Sequence, residues 1–77
     1  MTINEIGRLV RMRRRDSGLR QDELASIAGV GTRFLSELEN GKASLELGKV
    51  LRVLQTLGLE ISLTARKDTW PHQRVAS

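Results

Sequence analysis

Apolar residues recur three and four positions apart along the chain to residue 57, and from residue 59 the spacing changes to two. The first rhythm is that of helices with one buried face, the second that of a half-buried strand. Residues 2–17 carry Ile3, Ile6, Leu9, Val10 and Met12, with Ile6 and Val10 on the core side. Thr2 and Glu5 form a T-x-x-E capping box at the start of this helix. Gly18 ends it, and Leu19 then tucks back. Residues 21–28 place Leu24, Ile27 and Ala28 on one face. Gly29-Val30-Gly31 interrupts, and residues 32–39 resume with Leu35 and Leu38 inward. So short a break sends the second helix off at a steep angle. Val30 plugs the corner, and the small Ala25 lets the two helices approach closely. Gly41 after Asn40 is a stop signal. Residues 43–57 read as the last helix. Ser44 is its N-cap, Glu46 complements the helix dipole, and Leu47, Val50, Leu51, Leu54 and Leu57 form its buried face. Gly48 inside it costs about 1 kcal/mol against alanine, and Gly58 closes it.

Beyond Gly58, Leu59, Ile61, Leu63 and Ala65 alternate with Glu60, Ser62, Thr64 and Arg66. The chain offers no second strand, and a lone strand leaves a row of unpaired backbone groups. Antiparallel pairing with the same strand of a second copy supplies the partner. Leu59, Ile61, Leu63 and Ala65 then become a homodimer interface. The competing reading is a frayed extension of the last helix, against which Gly58 and the strict alternation argue. Residues 67–77 form a polar tail, whose Trp70 either covers the edge of the shared sheet or awaits a partner. The expected organisation is one domain, residues 1–66, followed by this tail.

Composition narrows the chemistry. A chain of 77 residues has a marginal core and benefits from disulfides, a metal or oligomerisation. It has no cysteine, which excludes disulfides and thiolate metal sites, and the single histidine, His72, is too few for a metal centre. Oligomerisation is the remaining support. The net charge of +4 and pI of 10.7 suit an anionic partner, nucleic acid being the commonest, although plain solubility explains the charge equally well. No apolar run approaches a membrane span or a signal peptide, so the expected location is the cytoplasm. Catalysis has no candidate set: there is no usable Ser/His/Asp grouping and no glycine-rich phosphate loop, and Glu37 and Glu39, two apart on a helix, do not face each other. No cofactor or metal is expected.

Gln21, Leu24-Ala25, Gly29-Val30, Leu35 and Leu38-Glu39-Asn40-Gly41-Lys42 together resemble the helix-turn-helix of the Cro/C1 (Xre) family of DNA-binding regulators. Two positions depart from its pattern. Arg20 stands where the family usually has a capping Ser or Thr, and Gly31 replaces a common Ser; both changes lower local helix stability a little. The resemblance implies an all-α, lambda-repressor-like bundle of four to five helices, to which the strand at 59–66 is added. In this motif the start of the second helix points into the major groove, which puts Thr32, Arg33, Ser36 and Glu37 at the bases. Arg33 can hold guanine O6 and N7 with two hydrogen bonds, and Thr32 can touch a thymine methyl or a phosphate. Glu37 either accepts from a cytosine amine or pairs with Arg33 and fixes its aim. Gln21 and Asn40 resemble the family's phosphate contacts, and Lys42 adds charge. Phe34 either packs on the last helix or lies against the DNA backbone.

Five arginines, Arg8, Arg11, Arg13, Arg14 and Arg15, crowd the first helix. Such a run is mostly a solvated face, with Arg13 and Arg11 the candidates for phosphate. The family pairs an arginine at the position of Arg14 with the glutamate here numbered Glu39, implying a partly buried structural salt bridge. Size and the terminal strand narrow the resemblance to HipB-type antitoxins, which repress their own operon and bind a HipA-type kinase toxin. The implied function is a sequence-specific repressor of an inverted-repeat operator, with that toxin as a possible partner. A stand-alone phage- or operon-type repressor, or an interaction module that has lost DNA binding, are the alternatives.

Overall fold

The structure is a computed structural model that describes residues 1–66, and among them are four helices: α1 (Ile3–Asp16), α2 (Gln21–Ala28), α3 (Thr32–Glu39) and α4 (Leu47–Thr56). Trp70, His72 and the rest of the expected tail lie outside the described residues. α1 starts as its capping box requires. The Glu5 N–H donates to Thr2 Oγ1 at 3.2 Å, and the Thr2 N–H donates to Glu5 Oε1 at 2.9 Å.

All four helices end alike. A glycine with positive φ (Gly18, Gly29, Gly41, Gly58) follows the last turn. The next residue's N–H then returns to a carbonyl five residues back: Leu19 to Arg14, Val30 to Ala25, Lys42 to Glu37, Leu59 to Leu54. This is the Schellman closure, in which an apolar contact normally accompanies the returning residue. Leu19, Val30 and Leu59 supply that contact by packing on the core. Lys42 does not.

The core is built from Val10 of α1, Leu24, Ala25 and Ala28 of α2, Leu35 and Leu38 of α3, and Val50, Val53 and Leu54 of α4, with Leu57 just beyond. Burying each large aliphatic side chain stabilises the fold by about 1.5–3 kcal/mol. α1 packs on α3, and α2 packs on both α3 and α4. Gly7 permits the first of these contacts. A Cβ there would collide with the carbonyl oxygens of Leu38 and Glu39, so the backbone of α1 lies directly on the end of α3.

Several sequence expectations are corrected. Ile27 is 64% exposed, because the buried stripe of α2 runs through Leu24, Ala25 and Ala28 and leaves Ile27 on the far flank. α4 begins at Leu47 with Glu46 at the N-cap position and no side-chain cap bond, so Ser44 caps nothing. Leu45, just ahead of the helix, packs on the core in the place expected of Leu47. The buried stripe is then Val50, Val53, Leu54 and Leu57, which leaves Leu47 64% and Leu51 40% exposed. Gly48 has no neighbour that a side chain would touch. Residues 60–66 are exposed and adopt neither helix nor strand within the single chain. Gly58 and the Leu59 closure stop α4 from continuing, and the described residues of one copy offer no edge to pair with.

Candidate nucleic-acid interface

The helix-turn-helix is held by a buried ion pair. Glu39, at the end of α3, has a side chain only 1% exposed. Arg14 grips it with two hydrogen bonds, Nε to Oε2 at 2.7 Å and Nη2 to Oε1 at 3.0 Å. The third guanidinium nitrogen of Arg14 donates to the Leu19 carbonyl at 2.8 Å. The Gln21 side-chain amide donates to Glu39 Oε1 at 3.1 Å, and Arg11 Nε lies 3.8 Å from the same oxygen. One carboxylate therefore ties together α1, the start of α2 and the end of α3. Burial pushes the Glu39 carboxyl up, but the hydrogen bonds from Arg14 and Gln21 and the charges of Arg14 and Arg11 outweigh it and hold the group below its ordinary value. The hydrogen bonds to Glu39 correspondingly raise the Arg14 guanidinium against the opposing effect of burial. Among the described residues no buried side-chain polar atom lacks a partner.

Around this anchor, α3 turns one face outward. Leu35 and Leu38 are fully buried. Thr32 and Arg33 are exposed, and Ser36 and Glu37 are half-buried. The Arg33 side chain is 91% exposed, with its Nε 3.7 Å from Glu37 Oε2. Lys42 Nζ donates to that same oxygen at 3.1 Å. Phe34 packs at the margin of the core, with Lys49 Nζ 5.8 Å from its ring centre. Asn40 is exposed, and its amide donates to the Ser36 carbonyl at 2.8 Å, closing its own helix. At the head of α2, Arg20 does not cap. Its guanidinium turns to Asp22 at 3.1 Å, and Glu23 instead accepts the Arg20 N–H at 2.8 Å, so half of a capping box survives.

The residues singled out in the sequence thus fall into three groups. Thr32, Arg33, Ser36, Glu37, Asn40 and Lys42 sit together on and just after α3. Gln21 and Arg11 join the Glu39 anchor. Arg13 lies elsewhere: its Nε donates to the Leu57 carbonyl at 3.0 Å, closing the end of α4. Among the contacts not legible in the sequence are Gln21 to Glu39, Arg13 to Leu57, and Lys42 to Glu37. The first two join residues far apart in the chain. The third spans five positions, beyond the three- and four-residue neighbours of a helix surface; only the closure at Gly41 folds Lys42 back, and that closure is its one sequence signal.

Among the described residues there is no cluster that could hold a metal, and no helix is long and apolar enough to cross a membrane. The chain matches the family described as "Helix-turn-helix domain" across residues 5–66. It is 57% identical over 64 residues to the uncharacterized HTH-type transcriptional regulator y4mF of Sinorhizobium fredii, covering 83% of this chain and 84% of that protein. It is also similar in structure to a chain of a HipA-HipB-O2-O3 complex, with a TM-score of 0.75 and 25% identity over 87% of this chain and 94% of the other. A chain of a HipB-O4 20mer complex is similar to the same degree, with the same identity, TM-score and coverage. These are regulators and DNA complexes rather than enzymes. With an exposed α3 on a buried anchor and a match spanning nearly all of the described residues, the chain belongs to the helix-turn-helix family as an Xre-type, DNA-binding regulator of the HipB kind.

Proposed function

We propose that the protein is a cytoplasmic, dimeric repressor that reads an inverted-repeat operator with α3 and acts as the autoregulating antitoxin of a HipA-type kinase toxin. The observation that carries the DNA-reading part is Arg33. Its guanidinium is 91% exposed on the first turn of a helix whose opposite face is fixed by Leu35, Leu38 and Glu39. A helix anchored on its inner face and presenting a highly exposed arginine suits bidentate recognition of guanine. Thr32 and Ser36 flank it as further base contacts, while Gln21, Asn40 and Arg11 supply phosphate contacts around it. Arg33→Ala should cost about 1–3 kcal/mol of specific binding and relax preference at one base pair, whereas Gln21→Ala should weaken all sequences alike. Titration of each variant against the DNA upstream of its own operon checks this; an unchanged specificity ratio in Arg33→Ala would remove Arg33 as a base reader.

The dimer reading rests on apolar surface that the described residues of one copy leave uncovered. Leu51, Leu54, Leu59 and Ile61 line an open groove of about 330 Å³. Beside it in the chain, Leu63 is 92% exposed. Pairing residues 59–66 with the same segment of a second copy covers Leu59, Ile61, Leu63 and Ala65 and satisfies the strand edge. The toxin assignment is supported by the likeness to HipB solved together with HipA. Co-expression with a kinase encoded beside it tests the assignment: a stable complex is expected, and a kinase-like neighbour that neither binds nor is neutralised would leave a stand-alone repressor.

A further inference from the structure

Three helices close by returning an apolar residue to the core, and α3 closes by returning a lysine to the DNA-facing side. Lys42 occupies the place that Leu19, Val30 and Leu59 hold elsewhere. Its N–H donates to the Glu37 carbonyl at 3.0 Å while its Nζ donates to the Glu37 carboxylate at 3.1 Å. Glu37 is held by the backbone turn and the ammonium at once. The same Oε2 faces Arg33 Nε at 3.7 Å, and the Glu37 side chain is 28% exposed against 91% for Arg33.

Resting on the DNA-reading function above, we infer that Glu37, latched by Lys42, is a specificity-determining positioning residue for Arg33 and does not itself read a base. The geometry does two things. A carboxylate 3.7 Å from Nε draws one edge of the guanidinium toward Glu37 and leaves its two terminal nitrogens for O6 and N7 of a guanine. The carboxylate also offsets the Lys42 charge. An uncompensated ammonium beside the groove would bind any phosphate, on the right sequence or the wrong one, and a carboxylate there repels phosphate in every misaligned pose. Glu37 therefore lowers affinity for unrelated DNA as it sharpens the reading of one base pair.

The test uses the full chain and duplex DNA. A random-sequence pool yields the site that the wild-type protein selects. That site, each of its single-base-pair variants and one unrelated duplex are the probes. Glu37→Gln keeps the shape and removes the charge. It should bind the unrelated duplex several-fold more tightly and steepen the salt dependence of binding by about 0.9, one added phosphate contact. It should lose on the order of tenfold discrimination at the same base pair where Arg33→Ala loses it. Adding Lys42→Ala to Glu37→Gln should abolish the gain on unrelated DNA. Loss of discrimination at a different base pair would make Glu37 a base reader and overturn the inference, as would unchanged discrimination, or a gain that survives the double change. A wild-type protein that enriches no site would instead strike down the DNA-reading function beneath it, a result plainly different from these.

Discussion

Glu39 is where a single residue carries the most of this fold. A small domain is stable by about 0.05–0.15 kcal/mol per residue, whereas stranding one partner of a buried ion pair costs about 3–5 kcal/mol. Arg14→Met or Glu39→Leu alone should therefore remove a large part of the stability, and the double change should recover some of it, as read from thermal or urea melts. The pair also makes a pH-dependent contribution. Because the folded state holds the Glu39 carboxyl below its ordinary value of 4.5, its contribution is full above that value and is lost as the pH falls below it. Arg14 is shifted upward, so its contribution persists below its ordinary value and is lost only at extreme alkaline pH. Urea melts stepped down in pH should show an acid loss that Glu39→Gln flattens. Two glycines make a second contrast. Gly7→Ala should destabilise by roughly 1–3 kcal/mol through overpacking against the α3 carbonyls, while Gly48→Ala, with open space around it, should stabilise by up to about 1 kcal/mol.

Among the elements, α4 departs furthest from its sequence pattern. Its N-cap is Glu46, which makes no side-chain cap bond. Glu46→Ser should add about 1 kcal/mol, and Ser44→Ala should change little, since Ser44 is exposed and outside the helix. Reversed effects in urea melts would return the helix start to residue 44. At the other end, Arg13 holds the Leu57 carbonyl. Arg13→Ala should cost about 1 kcal/mol and leave the salt slope of DNA binding unchanged. A shallower slope would assign Arg13 to phosphate after all. The arginine run of α1 is thus divided by its neighbours: Arg14 forms the expected pair with Glu39, Arg13 holds the Leu57 carbonyl, and Arg11 lies beside Glu39 while remaining half exposed.

At the scale of the whole molecule, the described residues leave apolar side chains exposed between residues 51 and 63. Ile61→Asp places a charge in the proposed two-fold interface and should abolish dimerisation and operator binding together, while the helix-turn-helix stays helical. Sedimentation measures the first and circular dichroism the last. A wild-type monomer at micromolar concentration, or an Ile61→Asp dimer, would reject the shared strand. If the dimer forms, the two copies of α3 should stand about 34 Å apart, one turn of DNA, and the selected site should be an inverted repeat.

The local structure was decided by the chain itself. The capping box at Thr2, the four glycine stops, the bounds of α2 and α3 and the buried Leu24, Leu35, Leu38 and Val10 follow from side-chain period and backbone permission, which act over three to five residues. Arg14 with Glu39 was legible only through the family resemblance, since no spacing rule joins residues 25 apart. Tertiary structure alone decided the rest. Leu45 rather than Leu47 covers the core, a choice between two leucines that only packing against the other helices distinguishes. Gly7 meets the end of α3 because α1 and α3, distant in sequence, come into backbone contact there, and Gln21 joins Glu39 because the turn between α2 and α3 brings the start of one helix to the end of the other. Lys42 reaches Glu37 because a positive φ at Gly41 reverses the chain. The alternation at 59–66 sits between the two: its period is written in the chain, but a strand is a relation between two backbones, and the described residues of a single copy supply only one of them.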